Sequence, residues 1–180
     1  MHIEKHPTLS YCPRCGKHGI LFKHKKCLVC NECGLEYYQN VAAAAGCFIF
    51  YNDFILLAKR AKEPGKDGLD LPGGFCDPGE SLEDAVRREI REELFLDVYD
   101  LTYLTSFPNE YLFEGILYHT CDVFFTARAD HMCEKFCEEE ISAVIKVHQF
   151  DFHEDMLVFP SGKKAGNFLR KKLSKTGERT

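Results

Sequence analysis

Carboxylate side chains are concentrated in one stretch of the chain, residues 80–93. Glu89, Glu92 and Glu93 follow one another at positions i, i+3 and i+4, and this spacing puts all three on one face of a helix. Like charges this close repel one another unless a cation neutralises them. Because Mg²⁺ takes oxygen ligands and usually recruits substrate phosphates as well, the stretch predicts a divalent-metal site that handles a phosphate-bearing compound.

The pattern of apolar residues predicts that this stretch is a helix over residues 81–94. Its apolar positions have helical spacing and form one face to be buried: Leu82, Ala85, Val86, Ile90 and Leu94. Ser81 is suited to the N-cap, and the acidic Glu83 and Asp84 suit the positive end of a helix. A glycine-rich turn, Leu71-Pro72-Gly73-Gly74, precedes the helix.

Four cysteines near the amino terminus form two matching turns. Cys12-Pro-Arg-Cys15-Gly and Cys30-Asn-Glu-Cys33-Gly are separated by fourteen residues, and two such turns complete the closed four-thiolate shell of a structural zinc site. Cys27 is an alternative partner for Cys30, although only the pair Cys30 and Cys33 is followed by glycine. A redox role is disfavoured, because two copies occur without a surrounding βαβ pattern.

The sequence from Gly74 to Leu96 resembles the Nudix box, G-x5-E-x7-R-E-U-x-E-E-x-G-U, where U is a bulky aliphatic residue. The matching positions are Gly74, Glu80, Arg88, Glu89, Ile90, Glu92, Glu93 and Leu96. One position departs, since Phe95 stands where the family has glycine. Glycine there ends the helix in a left-handed conformation, so the departure concerns the helix end and the following turn, and no metal ligand.

The Nudix resemblance covers roughly residues 41–173 and implies an α/β fold, an α/β/α sandwich with a mixed β-sheet. It implies a pyrophosphatase that depends on Mg²⁺ or Mn²⁺ and hydrolyses the diphosphate linkage of NAD(H), ADP-ribose, a nucleotide sugar or a nucleoside triphosphate. The metal ligands that it implies are Glu89, Glu92, Glu93, Glu80 and the backbone carbonyl of Gly74. Arg88 is expected to orient a neighbouring carboxylate.

The general base of such a reaction has several candidates. Glu92 and Glu93 lie within the box, and Glu140 lies beyond it. Glu140-Ile141-Ser142 resembles the segment that contributes a further metal-binding glutamate in NADH pyrophosphatases, with Glu139 as the near alternative. A solvated acidic loop is an equally consistent interpretation of residues 138–140.

The order of the two motifs, a zinc ribbon followed by a Nudix domain, resembles that of the NADH pyrophosphatases and implies a homodimer. That group carries Ser-Gln-Pro-Trp-Pro-Phe-Pro-x-Ser after the box. This chain has Thr105-Ser106-Phe107-Pro108-Asn109-Glu110-Tyr111 instead and contains no tryptophan, so specificity for NADH does not follow. Phe107 and Tyr111 are candidates for stacking on the base of a substrate.

The cysteine turns and the Nudix resemblance together imply two domains, a zinc ribbon at residues 1–38 and a Nudix domain at residues 39–180, and the charge is spread unevenly between them. Residues 1–40 hold six Lys/Arg against three Asp/Glu (+3), which leaves 17 against 25 (−8) for the remainder. The basic residues of the ribbon admit a nucleic-acid partner, but a solvated surface is favoured. This basic cluster comprises Arg14, Lys17, Lys23, Lys25 and Lys26, beside His18 and His24.

No apolar run is long enough to span a membrane, and the polar first residues are unlike a signal peptide. Four of the ten cysteines are grouped as metal ligands, and this grouping without a signal peptide favours a cytoplasmic location. Elsewhere the pattern predicts five strands and a terminal helix. The strands are expected at 41–51, 54–59, 101–107, 117–129 and within 138–150, with a turn near Glu114-Gly115, and the helix at 163–173.

Two other functions remain open from the sequence. A non-catalytic Nudix-fold sensor would bind a nucleotide while the ribbon contacts nucleic acid, but such a protein is expected to have lost box glutamates, and all of them are present here. Decapping of an RNA with an NAD-like end would use the same carboxylates and would give the basic cluster a role.

Overall fold

The computed structural model of the chain describes residues 3–5, 9–23, 26–113 and 116–177. It divides the chain into two compact units, Met1–Val41 and Ala42–Thr180, which we call the first and the second unit. His24 and Lys25 of the basic cluster and the turn expected at Glu114-Gly115 lie outside the described residues.

The first unit contains a four-stranded antiparallel sheet with the strands in chain order. These strands are β1 (Ile3–Lys5), β2 (Leu21–Lys23), β3 (Cys27–Val29) and β4 (Glu36–Tyr38). Its buried apolar cluster is small and consists of Cys12, Ile20, Leu28 and Cys30, with a few partly buried neighbours. A core of this size contributes little to stability, so a unit of this kind usually depends on a cross-link or a metal.

The second unit is built on a seven-stranded mixed sheet with two helices. Its elements are β5 (Ala42–Tyr51), β6 (Phe54–Arg60), β7 (Leu69–Asp70), β8 (Gly73–Phe75), α1 (Leu82–Leu94), β9 (Tyr99–Phe113), β10 (Ile116–Arg128), β11 (Ile141–His148) and α2 (Pro160–Gly177). The main strand order is β11-β6-β5-β10-β9, while β7 pairs with β6 and β8 pairs with β5. Strands β5 and β10 run parallel, and the other pairs are antiparallel.

Two apolar clusters lie on opposite faces of this sheet. Cys47 and Ile49 of β5 pack in a cluster with Val86 and Ile90 of α1. Phe48, between them in sequence, packs in the other cluster with Leu169 of α2. Because successive side chains of a strand point to opposite faces, this alternation places one helix on each side of the sheet. The expected α/β/α sandwich is confirmed.

Strand β9 is longer than the sequence predicts. Pro108 interrupts the strand pattern, so the strand is expected to end at residue 107, but it continues to Phe113 with Pro108 opposite Cys121. Strand β9 is at the edge of the main strand order, where the missing N–H of a proline is tolerated. The terminal helix likewise begins earlier than expected, at Pro160, and proline is well suited to the first position of a helix.

Candidate active site

Helix α1 carries the box carboxylates and has the expected ends and buried face. Ser81 is the N-cap, and its side-chain oxygen accepts a hydrogen bond from the backbone N–H of Asp84 at 3.1 Å. Phe95 ends the helix with φ 53° and ψ 33°, and its N–H bonds to the carbonyl of Arg91 at 3.0 Å. Phenylalanine therefore adopts the left-handed conformation that glycine has in the family, at a cost of roughly 1–2 kcal/mol.

A cavity of about 630 Å³ opens in the second unit beside this helix. Six of the predicted site residues line it: Gly74, Glu89, Glu92, Glu93, Tyr111 and Glu140. Three others are not in its lining. Glu80 and Arg88 are hydrogen-bonded to each other outside the lining. Phe107 packs against the apolar cluster on the α2 side.

Arg88 holds the carboxylates of the box in place. Its Nε donates to Glu80 Oε1 at 2.7 Å, and its Nη1 donates to Glu89 Oε1 and to Glu92 Oε2, each at 2.9 Å. Its Nη2 donates to the backbone carbonyl of Phe75 at 3.0 Å. One guanidinium therefore links three glutamates, two on α1 and one before it, to strand β8, and it uses its N–H donors to do so.

At Gly73 and Gly74 the backbone of β8 lies close to the side chains of Glu89 and Glu93. A Cβ on Gly74 would lie 2.5 Å from Glu89 Oε1, and a Cβ on Gly73, whose φ is +143°, would lie 2.0 Å from the carbonyl oxygen of Ala45. Gly73 also donates its N–H to Glu93 Oε2 at 3.0 Å. A side chain at Gly73 would overlap the backbone of β5, so this position requires glycine, whereas a side chain at Gly74 would displace the carboxylate of Glu89.

Burial raises the pKa of two carboxylates of the cavity, Glu89 and Glu93. Burial raises the pKa of Glu93 to about 8, and the negative charges of Glu89, Asp70 and Glu140 act in the same direction. The pKa of Glu89 is also raised, mainly by burial. By contrast, the hydrogen bond from Arg88 lowers the pKa of Glu80. Buried carboxylates that resist ionisation, beside a backbone carbonyl, are a donor set that fits a hard divalent cation such as Mg²⁺ or Mn²⁺.

Glu140 approaches the cavity from the turn before β11. Its carboxylate forms an ion pair with Lys62, which also lines the cavity. The N–H of Cys137 bonds to the carbonyl of Glu93 at 2.8 Å and so attaches this turn to the end of α1. The neighbouring Glu139 is exposed and is not in the lining.

An aromatic wall, of which the sequence predicts only Tyr111, borders the same cavity. The ring of Tyr111 meets Phe75 edge-to-face with centroids 5.8 Å apart, and it also lies 5.8 Å from the ring of Phe159. Arg60 lies over Phe159 at 5.0 Å and pairs with Asp70 at 3.1 Å. No motif marks Phe75 or Phe159, because strand pairing and the start of α2 place them there.

A second polar group in the cavity was also missed. Asp122 of β10 accepts hydrogen bonds from the hydroxyls of Thr120 and Ser161, and all three line the cavity. The sequence feature that could have revealed Asp122 is its charge within the otherwise mostly apolar run 121–127. A charged side chain in such a strand needs hydrogen-bond partners or a ligand.

The four predicted zinc ligands lie together in the first unit. The Sγ atoms of Cys12, Cys15, Cys30 and Cys33 are all within 4.8 Å of one another. The pairs Cys12–Cys33 and Cys15–Cys30 are each 3.7 Å apart. Four sulfurs at about 2.3 Å from a tetrahedral Zn²⁺ are about 3.8 Å apart, so the spacing fits zinc.

The two cysteine turns have the same backbone geometry. Gly16 and Gly34 have φ of 69° and 70°, and their N–H groups bond to the carbonyls of Cys12 and Cys30 at 2.9 and 3.0 Å. Cys27 is buried outside the cluster, with its Sγ 3.8 Å from the carbonyl oxygen of Leu28. The structure therefore selects Cys33 over Cys27 as the fourth member.

No helix among the described residues is long and apolar enough to cross a membrane.

Comparisons with known proteins agree with this description. The family model of the NUDIX domain matches residues 41–165. The NAD-capped RNA hydrolase NudC of Escherichia coli O1:K1 / APEC is 35% identical over 106 residues, which are 58% of this chain and 40% of that protein. NudC of Shigella boydii serotype 18 matches to the same extent. The chain thus matches well under half the length of these curated relatives.

Solved structures share the fold. A NUDIX hydrolase from Nitrosomonas europaea superposes with a TM-score of 0.70 at 20% identity, covering 96% of this chain and 94% of that one. The NUDIX domain of Shewanella oneidensis NrtR, solved with ADP ribose, superposes with a TM-score of 0.61 at 20% identity, covering 76% and 90%. At these identities the likeness concerns the fold alone.

Proposed function

The chain belongs to the Nudix family, and on that premise we propose that its second unit hydrolyses the diphosphate linkage of a nucleoside diphosphate derivative. The observation that carries the proposal is the meeting of three box glutamates, Glu89, Glu92 and Glu93, with the Gly73-Gly74 turn on one wall of a cavity large enough for a nucleotide. Ligand sites of this class commonly have volumes of about 300–1,000 Å³.

The carboxylates of Glu89, Glu92 and Glu93 and the carbonyl of Gly74 would hold the divalent cation, with Glu80 and Glu140 as further candidate ligands. Mg²⁺ or Mn²⁺, when bound there, neutralises charge on the diphosphate and activates water. Arg88 is a positioning residue, because its hydrogen bonds go to the glutamates and not to the cavity. Lys62, on the cavity wall beside Glu140, supplies positive charge for a substrate phosphate.

Three carboxylates of the wall are candidates for the general base: Glu92, Glu93 and Glu140. Burial raises the pKa of Glu93 to about 8 in the metal-free protein, and a cation bound beside it would favour the ionised form that accepts a proton. One of its oxygens accepts from Gly73, so Oε1 is the atom that would take the proton. Glu140 reaches the same cavity from another element. Replacing each by glutamine tests whether its carboxylate is needed for turnover.

NAD-derived compounds and ADP-ribose are the substrates to test first. The curated relatives act on NAD-capped RNA, and a NUDIX domain of the same fold has been solved with ADP ribose. The aromatic wall of Phe75, Tyr111 and Phe159 offers surfaces on which a base can stack. A nucleotide sugar or a nucleoside triphosphate would satisfy the same diphosphate chemistry.

The test is turnover with Mg²⁺ and Mn²⁺ over a panel of NADH, NAD, ADP-ribose, ADP-glucose, NAD-capped RNA and nucleoside triphosphates. We expect one compound to be hydrolysed far faster than the rest. Glu92→Gln, Glu93→Gln and Glu140→Gln should each lower turnover by roughly ten-fold to several thousand-fold. Glu139→Gln is the matched control, since it makes the same change on an exposed neighbour of Glu140.

A panel without any turnover would contradict the hydrolase proposal. The alternative, a Nudix-fold sensor or nucleic-acid-binding protein, would then be favoured by the first unit. There Arg14, Lys17 and Lys26 are exposed, and the ring of Tyr11 meets His18 edge-to-face at 5.2 Å. Basic and aromatic side chains on one surface are typical of single-strand binding. The complete set of box glutamates favours the hydrolase.

A further inference from the structure

Asp122 is a carboxylate of the cavity that belongs to β10 and not to the helix of the box. Its Oδ1 accepts a hydrogen bond from Thr120 Oγ1 at 2.5 Å, and its Oδ2 accepts one from Ser161 Oγ at 2.6 Å. Thr120 and Ser161 are 3% and 2% exposed, whereas Asp122 is only partly buried and lines the cavity. A carboxylate accepts about four hydrogen bonds, so two hydroxyls leave acceptor capacity on both oxygens.

The sheet register places this carboxylate across a gap from an aromatic ring. Asp122 pairs with Ala44 of β5, and Ala44 pairs with Phe75 of β8, so the three residues form one row across three strands. Strands are about 4.8 Å apart, which puts Asp122 and Phe75 about 10 Å apart in this row of the sheet, with Ala44 between them. All three residues line the cavity, and the ring of Tyr111 contacts Phe75 edge-to-face. The cavity volume of about 630 Å³ is sufficient for a nucleotide base beside this row.

The chemistry of this gap favours a base over a phosphate. An ionised carboxylate accepts hydrogen bonds and donates none, and it repels phosphate oxygens. The hydroxyls of Thr120 and Ser161 both donate their hydrogen bonds to Asp122. These three side chains therefore offer a ligand acceptor oxygens and no free donor. A ring that bears an amino group satisfies them. A ring with a carbonyl oxygen in the same place sets two acceptors against each other and leaves both unpaired.

We propose that Asp122 is a specificity-determining residue that accepts a hydrogen bond from the amino group of the substrate's base. The cavity then prefers amino-bearing bases, such as adenine and cytosine, over their carbonyl counterparts hypoxanthine and uracil. This inference rests on the proposed function only for the identity of the ligand as a nucleotide, because it concerns binding of the base and not cleavage of the diphosphate.

The test is calorimetric binding, without added Mg²⁺ or Mn²⁺, of two matched pairs, AMP with IMP and CMP with UMP. Monophosphates contain no diphosphate linkage, so turnover does not enter the measurement. We expect the wild type to bind the amino member of each pair roughly ten-fold more tightly. Asp122→Asn, whose amide both donates and accepts, should remove or reverse this preference. Asp151→Asn, the same change at an exposed site outside the cavity, should keep it.

The folding of Asp122→Asn is checked by its melting temperature. Ser161→Ala is a second variant, for use if Asp122→Asn folds poorly. It keeps the carboxylate of Asp122, so we expect it to keep the preference for AMP over IMP. Equal binding within both pairs in the wild type, including no binding of any of them at millimolar concentration, would overturn the inference. So would a preference that survives in folded Asp122→Asn.

A ribose-reading role would appear instead as weaker binding of 2′-deoxy-AMP that Asp122→Asn abolishes, with AMP and IMP alike. That result overturns the inference as well. The proposed hydrolysis is tested separately, by turnover of the substrate panel. Discrimination of AMP from IMP without any turnover would support the role of Asp122 and refute the hydrolase. Turnover without discrimination would support the hydrolase and refute the role of Asp122.

Discussion

The chain holds two sets of candidate metal ligands, and they are organised in opposite ways. The four cysteine sulfurs of the first unit lie within 4.8 Å of one another, and among the residues that the structure describes they are the only such group of three or more potential ligands. The box carboxylates of the second unit do not converge in this manner. Arg88 stands among them, and Glu80, Glu89 and Glu92 all bond to it.

The difference follows from how each set is positioned. Short backbone turns with glycines at φ near 70° fix the cysteines, so the thiolate shell is closed and suits a structural ion. An arginine and the backbone of Gly73 and Gly74 hold the glutamates beside an open cavity. Carboxylates kept apart by a counter-charge can be rearranged by a cation and a substrate, as a catalytic site requires.

The largest expected effect is on the closed site. Cys12→Ser should release the zinc and unfold the first unit, because binding of a structural Zn²⁺ is worth on the order of 10–16 kcal/mol in small zinc domains. The measurement is zinc content by atomic absorption, together with protease sensitivity of residues 1–41.

Cys27→Ser is the matched control for this substitution. Cys27 is as buried as Cys12 but lies outside the sulfur cluster, so this variant should keep one equivalent of zinc. Zinc loss in Cys27→Ser, or full zinc content in Cys12→Ser, would show that the ligand set is wrongly assigned.

A smaller effect is expected on the open site when Arg88 becomes methionine. The substitution removes the hydrogen bonds that position three glutamates, and loss of such a supporting residue typically weakens metal binding or activity about 10–100-fold. Titration with Mn²⁺, followed by electron paramagnetic resonance, measures the affinity. Arg91→Met is the control on the same helix, since Arg91 is exposed and pairs with Asp97. Equal affinities in the two variants would argue against the role of Arg88.

The raised pKa of Glu93 predicts a pH dependence at the open site. Burial raises the pKa of Glu93 from an ordinary value of 4.5 to about 8, so the metal-free folded protein keeps a proton that the unfolded chain releases between these values. The stability that this group contributes is present below pH 4.5 and is lost as the pH rises through 8. Binding of Mn²⁺ must displace the same proton, so affinity should rise by up to about ten-fold per pH unit in this window.

The check compares wild type with Glu93→Gln, which carries no titrating group at this position. Metal-free melting temperatures should fall from pH 5 to pH 8 more steeply in the wild type than in Glu93→Gln. Glu139→Gln should follow the wild type, because it alters only an exposed carboxylate. Parallel curves for wild type and Glu93→Gln would contradict the raised pKa.

The features that the sequence predicts correctly are those set by short spacings. The limits of α1, its N-cap at Ser81 and its buried face follow from residues within a few turns of one another. The choice of Cys33 over Cys27 follows from one trailing glycine. The layered fold is implied by the resemblance to the Nudix box, and the structure confirms it through the alternation of buried side chains along β5.

The features that the sequence does not predict depend on pairings between distant segments. The extension of β9 past Pro108 is permitted by its place at the edge of the main strand order. Phe75 and Asp122 share the cavity only through the register of β8, β5 and β10. Phe107, a sequence candidate for stacking, pairs with Asp122 in the sheet but packs against the α2-side cluster and is not in the cavity lining. No local pattern encodes these registers.

The parallel pairing of β5 with β10 has a consequence for the order in which the protein can be made. It joins Ala44 to Asp122, two residues 78 positions apart in the chain, whereas both cysteine turns lie within the first 34 residues. During synthesis, the four cysteines can come together as soon as the first unit has emerged from the ribosome, whereas the cavity is incomplete until β10 has been synthesised. Long-range parallel pairing is also slow. The nascent chain therefore has its complete cysteine cluster well before it has the cavity.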